Sequence, residues 1–133
     1  MLIDADWEGL PRKLLVQANR NGFLYVLDRT SGKFLFAKAF GRVTWAKGIG
    51  RDGRPEVDPA AKPDAKGVLV CPGAGGVTNW YSPAYNPETK LLYVATIKEC
   101  DVFSSAPQHY EPGHDFRGSV YMPNTDEPRS NRA

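Results

Sequence analysis

The short polar segment at residues 19–22, Asn-Arg-Asn-Gly, constrains the fold more than any other feature of the sequence. An apolar run at residues 12–18 precedes it, and a second apolar run at residues 23–28 follows it. Asn21 and Gly22 tolerate the positive φ angles that a tight turn demands, because glycine has no Cβ and asparagine accepts the left-handed region. The pattern therefore predicts a β-hairpin whose turn is formed by residues 19–22.

A second turn follows the hairpin directly. Residues 28–32, Asp-Arg-Thr-Ser-Gly, are rich in side chains that hydrogen-bond their own backbone, and residues 33–40 resume as a third strand. The order is repeated where residues 86–90 form a Thr-containing turn and residues 90–97 an apolar strand. Repeated antiparallel meanders are typical of propeller blades. We therefore predict an all-β fold, a partial β-propeller of about two blades with long loops.

The rest of the chain shows weaker patterns. Residues 41–67 combine Gly, Pro and alternating charges, which predicts a long surface loop. Residues 68–71 are interpreted as a short strand. The polar residues 122–133 are interpreted as a frayed tail beyond a partial propeller domain at residues 1–121. Because two blades leave open edges, the chain looks like a piece of something larger.

Several classes of function are disfavoured by the sequence. The 17 basic and 15 acidic residues are spread along the chain, so no basic block is present that would bind nucleic acid. No apolar run is long enough to span a membrane, and residues 1–6 lack the features of a secretion signal. His109 and His114 have no third ligand at metal-binding spacing, and no serine lies in a hydrolase elbow.

The two cysteines, Cys71 and Cys100, lie outside the spacings of structural zinc sites. A disulfide between them requires their Cα atoms to lie within about 7 Å, which the sequence does not establish. Two buried free thiols are the favoured interpretation.

Three residues are candidates for contact with a ligand. The Gly-rich residues 73–76 lack the Lys-Ser/Thr pair of a phosphate loop, but glycine lets the backbone pass close to a flat molecule. Asn79 could hydrogen-bond such a molecule and Trp80 could stack on it; equally, Trp80 could be core and Asn79 could cap a turn. An arginine at a hairpin apex, here Arg20, is usually solvated. Its planar guanidinium could pair with carboxylate or quinone oxygens if the turn faced a central site.

Residues 19–33 together with residues 75–87 resemble the quinoprotein alcohol dehydrogenases, the pyrroloquinoline quinone (PQQ)-dependent methanol and ethanol dehydrogenases. The resemblance covers about residues 2–121. Members of that family are eight-bladed propellers of the bacterial periplasm, so the resemblance implies the same fold and the same location for this chain.

The resemblance also implies cofactor roles for the three candidate residues. It implies that Arg20 contacts the reactive quinone carbonyls, that Asn79 hydrogen-bonds the edge of PQQ, and that Trp80 lies beside the cofactor. Hydride arrival at a quinone builds negative charge on its oxygen, which a fixed guanidinium would stabilise. With the resemblance, the interpretation of Arg20 changes from a solvated residue to a cofactor-facing one.

The family's general base, its calcium or lanthanide ligands and its tryptophan floor lie upstream of the matched segments, and no CxxCH haem site occurs in this chain. No catalytic or metal-ligating residue is therefore assigned here. We expect a C-proximal part of an enzyme that oxidises a primary alcohol to the aldehyde, passes electrons to a cytochrome c and is inactive alone. The alternative is a non-catalytic propeller scaffold or binding module without cofactor, in which Arg20 and Asn79 need not converge.

Overall fold

A computed structural model describes residues 1–124 and, for the backbone, residues 130–132. The described chain consists of strands that pair antiparallel and a single 3-10 turn at Pro59–Ala61, which confirms the all-β prediction. In this part of the chain, no helix is long and apolar enough to cross a membrane.

The first sheet is a four-stranded antiparallel meander in chain order. Its strands are β1 (Leu2–Trp7), β2 (Leu10–Ala18), β3 (Phe23–Asp28) and β4 (Phe34–Ala39). Leu14, Val16 and Val26 form its buried cluster, because alternate positions along a strand face the same side of the sheet. The sequence predicted β2, β3 and β4 but not β1, whose apolar residues alternate with the exposed Asp4 and Asp6 in a short segment.

The hairpin between β2 and β3 confirms the first prediction. Asn19 O accepts a hydrogen bond from Gly22 N at 3.0 Å, and Asn19 N donates to Phe23 O at 3.0 Å. Gly22 has a φ of 97°, and it supplies the positive angle without a contribution from Asn21. A Cβ at position 22 would lie 2.5 Å from Val43 Cγ2, so both the dihedral angle and the space require glycine.

The prediction of a long loop over residues 41–67 was wrong. The segment contains β5 (Ala46–Ile49) and β6 (Pro55–Val57), which pair with each other. Trp45 anchors this hairpin on the first sheet: its ring meets that of Phe23 edge-on with centroids 6.0 Å apart, and its Nε1 donates to Asn21 O at 2.9 Å. A single long-range aromatic anchor leaves no periodic pattern in the sequence, so the sequence alone predicts a loop.

The second half of the chain consists of shorter strands. They are β7 (Val68–Val70), β8 (Ala84–Asn86), β9 (Leu91–Tyr93), β10 (Thr96–Lys98), β11 (Asp101–Ser105), β12 (Ser119–Pro123) and β13 (Ser130–Arg132). β11 lies between β7 and β12, β8 pairs with β9, and β10 pairs with β13. The strand predicted at residues 90–97 is thus divided between β9 and β10.

The domain bounds predicted at the end of the chain stay a prediction. The sequence predicts a tail at residues 122–133, beyond a domain at residues 1–121. β12 extends to Pro123, and the backbone of 130–132 pairs with β10. Residues 125–129 and 133 of the predicted tail lie outside the described residues.

The prediction of free thiols was also wrong, because Cys71 and Cys100 form a disulfide with their Cα atoms 4.4 Å apart. The pairing of β7 with β11 brings Val70 opposite Asp101. The two cysteines adjoin these residues, so the strand register places them side by side. Sequence alone does not reveal that register, since the cysteines are 29 positions apart.

Candidate functional site

The Gly-rich loop at residues 73–76 is a tight turn attached to the strand region around the disulfide. Gly73 N donates to Glu99 O at 2.8 Å, and Gly76 N donates to Gly73 O at 2.9 Å. Gly76 has a φ of 77°. A Cβ on Gly76 would lie 2.8 Å from Arg20 O, so only glycine lets this loop pass so close to the hairpin turn.

Arg20 joins the hairpin turn to this loop through both its backbone and its side chain. Arg20 O accepts from Val77 N at 3.0 Å. The guanidinium Nη2 donates to Ala74 O at 2.6 Å, across 54 positions of sequence. The rest of the side chain is exposed. The turn is therefore held against the loop, and the guanidinium is fixed at one nitrogen while facing solvent.

Asn79 contacts the same loop from its other end. Its Nδ2 donates to Gly75 O at 3.0 Å, and the residue is half-buried. The carbonyls that hold Arg20 and Asn79 thus belong to the consecutive residues Ala74 and Gly75. Both predicted residues therefore donate a side-chain hydrogen bond to the same loop.

Trp80 follows Asn79 and is 83% exposed, so the interpretation of Trp80 as a core residue was wrong. An exposed indole next to a glycine loop offers a flat apolar face to a planar molecule. A cavity of about 280 Å³ lies nearby and is lined by Pro72, Val77 and Cys100 among others, but not by Arg20, Asn79 or Trp80. Of the three candidate residues, Arg20 and Trp80 are exposed and Asn79 is half-buried.

Asp101 is a site residue that sequence reasoning missed. It is 1% exposed, and its Oδ2 accepts from Ala74 N at 2.7 Å. A Cβ on Gly73 would lie 2.7 Å from this carboxylate, so the loop backbone rests directly on it. The only sequence signal was an acidic residue that opens the apolar run Val102-Phe103 directly after Cys100.

The described residues hold no group of three or more His, Cys, Asp or Glu that could bind a metal ion. The arrangement does fit a flat cofactor with oxygen acceptors, since a fixed guanidinium, a side-chain amide and an exposed indole adjoin one glycine loop. A guanidinium, an amide and an indole are groups that can hydrogen-bond the oxygens of a planar molecule and stack on its face.

Comparison with known proteins identifies quinoprotein and quinohemoprotein alcohol dehydrogenases among the relatives of this chain. The chain is 43% identical over 94 residues to the quinohemoprotein alcohol dehydrogenase ADH IIB of Pseudomonas putida, which covers 70% of this chain and 14% of that protein. It is 46% identical over 118 residues to the quinoprotein alcohol dehydrogenase PedH of Pseudomonas putida, covering 82% of this chain and 20% of that protein. No family model matches the sequence.

A solved structure agrees with these relatives. A europium-containing methanol dehydrogenase superposes with a TM-score of 0.83 and 33% identity, covering 91% of this chain and 22% of that chain. Fold and relatives together define a class of dehydrogenase, and this chain belongs to the quinoprotein alcohol dehydrogenase family. It spans about a fifth or less of the length of the two curated relatives described above.

Proposed function

We propose that this chain is part of a PQQ-dependent alcohol dehydrogenase that oxidises a primary alcohol to the aldehyde, and that Arg20, Asn79 and Trp80 contact the cofactor. The observation that carries the proposal is the anchoring of Arg20 and Asn79 on the consecutive carbonyls of Ala74 and Gly75. In the alternative, a scaffold without cofactor, the same bonds would serve only to join the hairpin turn to the loop. The family of the relatives supports the same assignment.

Each residue has a separate role in the proposed site. When bound, PQQ accepts the hydride that leaves the alcohol. A guanidinium has five N–H donors, and the bond to Ala74 O uses one of them, so Arg20 has donors left for a quinone oxygen. Its fixed positive charge would stabilise negative charge on that oxygen. Asn79 would hydrogen-bond the edge of the ring system, and the indole of Trp80 would lie beside its face.

The rest of the enzyme is proposed to lie outside this chain. In this proposal, the general base and the calcium or lanthanide ligands belong to other segments of the enzyme. A relative from Thauera butanivorans, 40% identical over 93 residues, is named 1-butanol dehydrogenase (cytochrome c), and we propose a cytochrome c as the electron acceptor here too. The proposed location is the periplasm.

The test is a titration of PQQ into the longer protein that contains these residues, with calcium or a lanthanide present, followed by the absorbance of the bound quinone. Arg20→Ala should weaken binding by about 10- to 100-fold, because a charged hydrogen bond is lost. Arg20→Lys keeps the charge without the planar fork and should fall between Arg20→Ala and the unchanged protein. The matched control is Arg51→Ala, which removes another exposed arginine in a turn and should leave binding unchanged.

Two results would overturn the proposal. If the longer protein does not bind PQQ, or if Arg20→Ala binds it as well as the unchanged protein, the chain is a scaffold rather than part of a cofactor site. A further measurement concerns activity: the 133-residue chain alone, given PQQ and calcium, should show no turnover of a primary alcohol. Turnover would refute the assignment of base and metal ligands to other segments.

A further inference from the structure

Asp101 is a buried carboxylate that the fold alone does not explain. It is 1% exposed, and its Oδ1 has no hydrogen-bond partner among the described residues. Burying a carboxylate with an unpartnered oxygen destabilises a protein, whereas an apolar residue at the same strand position would not. We therefore infer the role of Asp101 from the hydrogen bond that it does make, which its Oδ2 accepts from Ala74 N at 2.7 Å.

Ala74 is held at both of its backbone polar groups. Its N–H donates to Asp101, and its carbonyl accepts from Arg20 Nη2 at 2.6 Å. Gly73 lets the loop rest on the carboxylate, since a Cβ there would lie 2.7 Å from both Cγ and Oδ2 of Asp101. The disulfide links the residue preceding Asp101 to the segment that enters the loop. Asp101 is thus fixed relative to the carbonyl that holds the arginine.

We propose that Asp101 is a positioning residue of the cofactor site, which fixes Ala74 so that its carbonyl holds the Arg20 guanidinium in one orientation. The inference rests on the proposed function above. An arginine on a hairpin apex would otherwise sample many rotamers, and ordering it would weaken cofactor binding. With Ala74 fixed, the side chain is ordered before the ligand arrives, and the entropic loss no longer accompanies binding.

The experiment measures PQQ affinity in the longer protein that contains this chain, using Asp101→Ala and Asp101→Asn. Asp101→Ala leaves Ala74 N without its acceptor and should weaken binding about tenfold, the effect of roughly one hydrogen bond. Asp101→Asn keeps an oxygen that can accept from Ala74 N, so its affinity should stay within about threefold of the unchanged protein. Gly73→Ala tests the same contact should Asp101→Ala fail to fold, and it should also weaken binding.

A double-mutant cycle separates positioning from general stability. If Asp101 acts through Arg20, adding Asp101→Ala to Arg20→Ala should cause little further loss of affinity. Thr44→Val is the matched control, because it removes the hydroxyl that accepts from Cys71 N at 2.9 Å and so destabilises the same region without releasing Ala74. It should lower the melting temperature while leaving PQQ affinity unchanged.

The outcomes are distinguishable. If the unchanged protein does not bind PQQ, the proposed function fails, and the role of Asp101 fails with it. If the unchanged protein binds and Arg20→Ala weakens binding, the proposed function stands. In that case, additive losses for Asp101 and Arg20, an Asp101→Ala variant with full affinity, or an equal loss in Thr44→Val would overturn the positioning role alone.

Discussion

The first sheet and the second half of the chain each contain the same kind of turn before a strand. The two turns differ in the residue at the position of positive φ. In the first turn Asp28 Oδ1 accepts from the backbone N–H two residues further on at 2.9 Å, and in the second turn Asn86 Oδ1 does the same at 2.9 Å. Four residues after each acceptor the backbone has a positive φ, 73° at Gly32 and 58° at Lys90. One turn geometry is thus reached with glycine and with a strained lysine.

The two regions also differ in what holds them together. The first sheet buries a side-chain cluster formed by Leu14, Val16 and Val26. In the second half the most buried side chains are Cys71, which belongs to the disulfide, and Asp101. A continuous apolar cluster stabilises the first region, whereas specific links stabilise the second. The candidate site lies where a turn of the first region meets a loop of the second.

The largest effect is expected from removing the disulfide. The paired change Cys71→Ser and Cys100→Ser should lower the free energy of unfolding by about 3–4 kcal/mol, the entropic estimate for a closed loop of this size. Chemical denaturation of the 133-residue chain measures it. The control is the unchanged chain treated with a reductant, which should lose a similar amount. A loss below about 1 kcal/mol would mean that packing stabilises the second half as it does the first.

A smaller effect is expected from replacing the residue of positive φ in each of the two turns. Gly32→Ala should destabilise by about 1 kcal/mol through the dihedral angle alone, because nothing lies within 4 Å of the new Cβ. Lys90→Gly should stabilise by about 0.5–1 kcal/mol by relieving the left-handed strain. Thermal unfolding checks both values.

Lys90→Ala is the matched control for the lysine. Lys90 Nζ lies 3.7 Å from Asp6 Oδ2, but both side chains are exposed, so this ion pair contributes little. Alanine keeps the strain and removes the charge, and it should give no gain in stability. Equal gains for alanine and glycine would show that the charge, not the backbone angle, sets the difference between the turns.

The smallest effect is a pH dependence that comes from Asp28 in the first turn. Hydrogen bonds from Thr30, side chain and then backbone, lower the pKa of Asp28 from 3.8 to about 2. Because the folded pKa lies below the unfolded value, this contribution is fully present above about pH 4 and is lost as the pH falls towards 2. Asn86 holds the corresponding position in the second turn and has no ionisable group, so it makes no such contribution.

Thr30→Val tests this difference. Valine removes the side-chain donor while the backbone N–H still reaches Asp28. The variant should lose less stability than the unchanged chain between pH 4 and pH 2. The measurement is the denaturation midpoint at several pH values, and parallel curves for the two proteins would contradict the assignment to Thr30.

Predictions from sequence succeeded where the deciding residues are close together in the chain. The hairpin at Asn19 and Gly22 and the two Asx turns depend on side chains and dihedral angles within a few residues. The strands next to these turns were predicted for the same reason. Arg20, Asn79 and Trp80 were selected as candidate site residues because their flanking motifs resemble a known family, and their contact with PQQ stays a prediction.

Predictions failed where the deciding contact is distant in sequence. Trp45 reaches Asn21 across 24 positions, and this anchor converts an apparent loop into an attached hairpin. Asp101 reaches Ala74 across 27 positions, and Cys71 reaches Cys100 across 29. A short charged segment such as β1 was missed because its stability comes from the neighbouring strand rather than from its own composition.

The sequence by itself determined the local structure of this protein, that is, which segments form turns and which form strands. It also determined which family the turns resemble. Tertiary structure alone decided that the turn of Arg20 lies against the loop of Ala74, that Asp101 lies beneath that loop, and that the thiols are joined. The physical reason is that turn geometry follows from bonded neighbours, whereas strand register depends on packing between distant segments.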